Sequence, residues 1–123
     1  MNKSVILVFI TVIIGTIGQL CIKTAMLRVG PVAFGIPGEI INSGWQIMQQ
    51  PLIWMALLFY GAGFIVWASV LSHLQLSFAY PLLATGYLIN PLAAMVLFNE
   101  QIPFIRWVGI VVIMVGIVLV GRS

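Results

Sequence analysis

The residues able to do chemistry in this chain are few and fall on helical repeats. Thr11, Gly15, Gln19 and Lys23 recur every four residues, which stacks them along one side of a helix. In an oily span a polar side chain is costly unless it is paired or lines a cavity, so this stripe is expected to face protein. Two roles stand open for its end. Gln19 and Lys23 donate to an anionic headgroup, or Gln19 bonds a neighbouring helix while Lys23 lifts its charge to the interface. A second set, Tyr80, Ala84, Tyr87 and Asn90, fits within about three helical turns. Pro81 and Pro91 accompany it, each removing a backbone donor, so kinks that open carbonyls to a cavity are expected near both. This set is either a substrate wall or a structural group, with tyrosines bonding across a bundle and Asn90 satisfying carbonyls freed by Pro91. Glu100 forms a third set with Arg106, Lys23 and Arg28, all expected at one membrane face. They either pair as ions or frame an entrance for a charged lipid headgroup or an amino sugar, with Glu39 nearby.

Other chemistries lack their parts. There is no nucleophile with a base partner and no phosphate-cradling glycine loop followed by Lys-Ser or Lys-Thr. The single Cys21 and the single His73 offer neither a disulfide nor metal-ligand spacing. No enzyme, cofactor or metal site is expected. No carboxylate falls at mid-membrane depth, so a proton-exchange site built on a buried acid cannot be assigned.

The elements that must hold these residues follow from composition. Of 123 residues, 63% are hydrophobic and 6% charged, and no Asp, Glu, Lys or Arg occurs from Ile40 through Asn99. A water-facing surface does not tolerate such a run, whereas a lipid-facing one requires it. Spans need about 20 residues each, and four fit: about Ser4–Leu27, Pro51–Ser72, Ser77–Phe98 and Pro103–Gly121. The first is expected to be retained as a span rather than cleaved, since further apolar stretches follow it. Between the first two, Gly30, Pro31, Gly35, Pro37, Gly38, Asn42, Ser43 and Gly44 break the pattern. These breakers are mixed with Phe34, Ile40, Ile41, Trp45 and Met48, so residues 29–50 read as a loop ending in a short interfacial helix. Trp54 is expected to anchor at the interface, and His73–Leu76 to form a tight turn.

The chain thus reads as an all-α membrane protein, one four-helix transmembrane bundle over residues 1–123. Its formal charge of +3 sits at segment ends and makes no nucleic-acid stripe. Lys3 and Arg122 lie on one side, Lys23, Arg28 and Arg106 on the other, so the positive-inside rule barely chooses an orientation. Gly61, Gly63, Gly109, Gly116 and Gly121 let helices approach closely. Gly109 and Gly116, one heptad apart, suggest a seam within the subunit or between subunits.

The segments GQLCIK at 18–23, LSFAYPLLATGYLINPL at 76–92, LFNEQI at 97–102 and WVGIVVIMVGIVLVG at 107–121 resemble the drug/metabolite transporter superfamily. The likeness is to its four-helix, EamA-like members near the small multidrug resistance proteins, and most closely to undecaprenyl-phosphate-aminoarabinose flippase subunits. That resemblance implies an inner-membrane transporter moving a polyprenyl-phosphate-linked sugar or related amphiphilic anion between leaflets. It implies lipid-carrier roles for Gln19, Lys23, Tyr80 and Glu100, and pairing with a second copy or a homologous four-helix subunit. On this reading the headgroup slides past Gln19, Tyr80, Tyr87 and Asn90, with Lys23 and Arg106 holding the phosphate at one face. The alternative is an exporter of cationic or amphipathic compounds, its path lined by Tyr60, Trp67, Tyr80 and Tyr87. Small multidrug resistance proteins carry a glutamate within helix one, and Gly15 stands near that position here, which counts against drug/proton exchange. A scaffold whose polar groups serve only assembly is the third reading.

Overall fold

The computed structural model describes residues 2–32 and 35–123; Phe34, expected in the first loop, lies outside them. Six α-helices form. They are α1 (Asn2–Val29), α2 (Pro37–Met48), α3 (Pro51–Leu71), α4 (Leu76–Leu82), α5 (Gly86–Phe98) and α6 (Phe104–Arg122), with a 3₁₀ turn at Leu83–Thr85 between α4 and α5. Among the described residues four stretches are long and apolar enough to cross a membrane: Lys3–Val29, Pro51–Leu71, Leu76–Phe98 and Phe104–Arg122. A helix satisfies its backbone polar groups internally, the condition for crossing hydrocarbon. The hydroxyls on α1 follow the same rule: Thr11 and Thr24 donate to the carbonyls of Leu7 and Leu20, each at 2.9 Å.

Prolines set the starts of three helices. Pro37 and Pro51 stand in the first turns of α2 and α3, and Pro103 is the residue just before α6, places where the missing N–H is not needed. At the α2–α3 corner the Trp54 indole N–H donates to the Met48 carbonyl at 2.9 Å. None of the residues of α2 is buried. Ile41, Trp45 and Met48 point outward along one side, the habit of a helix lying in the headgroup plane.

α1 packs chiefly against α3. Small residues permit the approach: Ala25, Ala56 and Gly63 are buried. A Cβ at Gly63 would sit 3.4 Å from Ile14, and one at Gly18 would meet the Tyr60 ring at 3.1 Å. Without a hydrophobic drive between helices in lipid, such close packing supplies the association. A small core of Val8, Val70, Ala79 and Leu82 joins α1, α3 and α4, with Ile117 of α6 packed against it. Outward faces carry Leu58, Phe64, Ile65, Val96, Phe104 and Ile105, each more than 70% exposed, as lipid contact demands.

The structure narrows two expectations about the last two spans. The third span is interrupted once, by the 3₁₀ turn that begins two residues after Pro81, while α5 continues through Pro91 without a break. Pro81 leaves its own helix short, whereas Pro91 stands inside a continuous helix. Gly61, Gly109, Gly116 and Gly121 have nothing within 4 Å of where a Cβ would stand, so the glycines of α6 do not mark a seam inside the subunit. The turn after α3 and the end of α6 meet, since His73, Gln75 and Ser123 border one pit. The start of α1 lies at that end too: Val5, Ile6 and Phe9 share a groove with Phe78 and Gly121.

Candidate functional site

The polar centre of the bundle is a chain of three side chains from two helices. Thr16 Oγ1–H on α1 donates to Asn90 Oδ1 on α5 at 2.7 Å, and Asn90 Nδ2–H donates to Gln19 Oε1, back on α1, at 3.0 Å. The Thr16 hydroxyl also lies 2.9 Å from the Val12 carbonyl, so its one proton is shared between two acceptors. Thr16 and Gln19 stand one turn apart on α1, which lets one carboxamide bridge both. Asn90 therefore bonds across the bundle rather than to carbonyls freed by Pro91, and Gln19 takes its partner from a neighbouring helix.

Two open-sided cavities lie on either side of this bridge, and both are bordered by Gln19, Leu83, Gly86 and Asn90. The first, about 510 Å³, is closed by Tyr80, Pro81, Ala84 and Tyr87. Tyr80 and Tyr87 are 64% and 61% exposed, and neither phenol hydroxyl has a hydrogen-bond partner among the described residues. Their donors thus remain available to an occupant. The second cavity, about 400 Å³, runs between α1, α3 and α5 past Phe59, Tyr60, Phe64 and Trp67. Trp67 and Tyr80 meet edge to face at 6.3 Å between ring centroids and 64° between planes, so an aromatic pair stands where the two cavities adjoin.

At the end of α1 opposite the termini, Lys23 Nζ lies 3.6 Å from Glu100 Oε1, both side chains about half exposed. Asn99 ends α5 in the left-handed region at φ 54°, a conformation asparagine tolerates better than most residues, and this turns the chain so that Glu100 reaches α1. Glu100 thus chooses Lys23 over Arg28 and Arg106; among the described residues this is the one ion pair. Arg106, in the first turn of α6, is exposed and borders neither cavity. Glu39, in the first turn of α2, borders neither as well.

Of the seven residues singled out by type and spacing, Gln19, Tyr80, Tyr87 and Asn90 come together in one cavity, Lys23 and Glu100 pair beside it, and Arg106 stands apart. Two residues of this centre are not picked out by the four-residue stripe. Thr16 lies off it, one turn before Gln19, and its position three residues from a polar partner was the available clue. Tyr60, expected only as a wall of the alternative export path, joins through packing against Gly18.

No family model matches the chain, and no solved structure matches it. Curated proteins do. The chain is 39% identical over 106 residues to a Serratia proteamaculans protein, covering 85% of this chain and 83% of that one. It is 35% identical over 118 residues to one from Pectobacterium atrosepticum, covering 94% and 96%. A Pseudomonas syringae relative is 37% identical over 71 residues, 58% of this chain and 66% of that protein, so this match spans just under two thirds of its length. All three carry the name "Probable 4-amino-4-deoxy-L-arabinose-phosphoundecaprenol flippase subunit ArnE". With two relatives matched across most of both chains and four helices fit to span a bilayer, the chain belongs to the ArnE family of flippase subunits and is a multi-pass protein of the bacterial inner membrane.

Proposed function

We propose that this chain is one subunit of a flippase that carries a polyprenyl-phosphate-linked amino sugar between leaflets and catalyses no covalent step. The observation that carries this reading is the gathering of Gln19, Tyr80, Tyr87 and Asn90 around one open-sided cavity in the lipid-facing wall. A sugar headgroup loses its water shell on entering hydrocarbon, and every unmatched polar group then costs several kcal/mol. Phenol hydroxyls and carboxamides replace part of that shell without holding a charge, so the headgroup is met along the path but not trapped on it.

The relatives' name describes a substrate with both an amine and a phosphate. Lys23 and Glu100 complement that pattern: the ammonium suits the phosphate, the carboxylate suits the amine, and their contact at 3.6 Å is loose and half exposed. A surface pair of this kind is worth about 0–1 kcal/mol, so a substrate that offers both charges exchanges with it at little cost. Arg106, exposed near the same end, adds long-range attraction for an anion. Because both cavities are open-sided, a second subunit, either another copy or a homologous four-helix chain, completes the path.

The test is translocation of a fluorescent polyprenyl-phosphate amino sugar in vesicles that hold the chain with the partner it copurifies with. Lys23→Met is expected to cut translocation at least tenfold with the inserted amount unchanged. Unchanged translocation removes Lys23 from the path, and absence of any translocation by the unaltered complex overturns the proposal.

A further inference from the structure

The α1–α3–α5 cavity is not used by the headgroup path, yet it adjoins that path along the four shared residues Gln19, Leu83, Gly86 and Asn90. We infer that it binds the isoprenoid chain of the carrier lipid, holding the tail while the headgroup occupies the Tyr80–Tyr87 side. This rests on the flippase reading above and adds a site for the part of the substrate that reading leaves in bulk lipid.

Three observations support it. The polar side chains that α1 and α5 place on the floor are paired with one another or with backbone: Thr11 with the Leu7 carbonyl, Thr16 with Asn90, and Asn90 with Gln19. The floor therefore makes no demand for a polar ligand, and the other donors of the groove, the Tyr60 hydroxyl and the Trp67 indole N–H, sit on aromatic rings of its α3 wall. Its walls are aromatic, with Phe59, Phe64 and Trp67 on one side, and rings offer flat faces to the methyl branches and double bonds of an isoprenoid. Finally, a Cβ at Gly15 would meet nothing within 4 Å, and Gly15 lines this groove. The missing side chain leaves a notch on the floor where a chain methyl fits. A head pocket and a tail groove that share one wall match an amphiphile with its joint at Gln19 and Asn90.

The test uses two photoreactive probes in membranes of expressing cells, each a polyisoprenyl-phosphate amino sugar, one with its diazirine on the sugar and one with it midway along the chain. The chain probe is expected to label Phe59, Phe64 or Trp67, and the sugar probe to label the Tyr80–Tyr87 side. Gly15→Leu adds bulk into open space and so spares the fold. It should reduce labelling by the chain probe about tenfold, equivalent to about 1.4 kcal/mol, while sugar-probe labelling at Tyr80 and Tyr87 persists. Phe64→Ala, at an outward-facing position, should weaken chain labelling without touching the notch. Sugar labelling with chain label spread over α6 overturns the tail groove and leaves the flippase reading standing. Equal labelling by a straight-chain probe of the same length overturns the isoprenoid assignment. If neither probe labels the unaltered protein, both readings fall.

Discussion

Asn90 on α5 and Gln19 on α1, 71 residues apart in the chain, are joined by an Nδ2–H···Oε1 hydrogen bond of 3.0 Å. This bond is the shared wall of both cavities, so substitution can separate its structural role from the transport role proposed for its two partners. Hydrogen bonds between membrane helices average about 0.6 kcal/mol and reach about 1.7. Asn90→Leu is expected to lower bundle stability by no more than about 1–2 kcal/mol, read from detergent-denaturation midpoints, while translocation falls to background. Retained translocation at that modest stability loss would show that Asn90 serves packing alone.

Charge reversal tests the rim. Lys23→Glu and Glu100→Lys should each impair translocation, and the double exchange should restore insertion and stability to within about 1 kcal/mol, the ceiling for a half-exposed pair. Translocation should stay low in the double exchange if the order of charges matches the order of phosphate and amine in the substrate. Full recovery would mean the pair serves only to hold the α5–α6 loop against α1.

Gly18 tests the α1–α3 contact. A Cβ there falls 3.1 Å from the Tyr60 ring, so Gly18→Leu is expected to cost about 1–3 kcal/mol through overpacking. Adding Tyr60→Ala should recover much of that loss, because the offending ring is gone. A thermal-shift series on the two single variants and the double variant measures the coupling; additive losses would place the strain elsewhere.

The glycines of α6 test assembly. Gly109 and Gly116 have open space beside them within the subunit, so Gly109→Leu and Gly116→Leu should insert and fold normally. If α6 meets a partner subunit across these positions, disulfide crosslinking from neighbouring engineered cysteines should drop several-fold in both variants. Unchanged crosslinking would place the contact away from these glycines, and no crosslinking in the unaltered background would assign α6 to lipid.

How much was legible in the residues depends on the range of the cause. The spans follow from local hydrophobicity, and their starts from Pro51 and Pro103, whose effects are confined to one turn. Gln19, Tyr80, Tyr87 and Asn90 were visible because a polar group in an apolar run needs a reason to be there. Their partners were not visible. Asn90 could have turned to the carbonyls near Pro91 or crossed to α1, and only the packing of distant helices decides between those choices. Arg106 shows the reverse limit: charge and sequence proximity bring it near Glu100 on paper, yet Asn99 turns the chain so that Glu100 faces Lys23. The glycines divided likewise, with Gly18 and Gly63 at close contacts and the α6 pair at none.

The 3₁₀ turn at Leu83–Thr85 changes how the third span is wound. A uniform α-helix advances about 100° per residue, which would leave Asn90 about 80° around the axis from Tyr80. Three residues at about 120° each recover about 60° of that difference, so Asn90 arrives within about 20° of the Tyr80 azimuth. Pro81 and the tighter coil behind it thus act as a phase corrector between the two halves of the span: relaxing those three residues to regular pitch would turn Tyr87 and the Asn90 carboxamide together by about 60° relative to Tyr80 and take the carboxamide off the Tyr80 side, with every side chain still present.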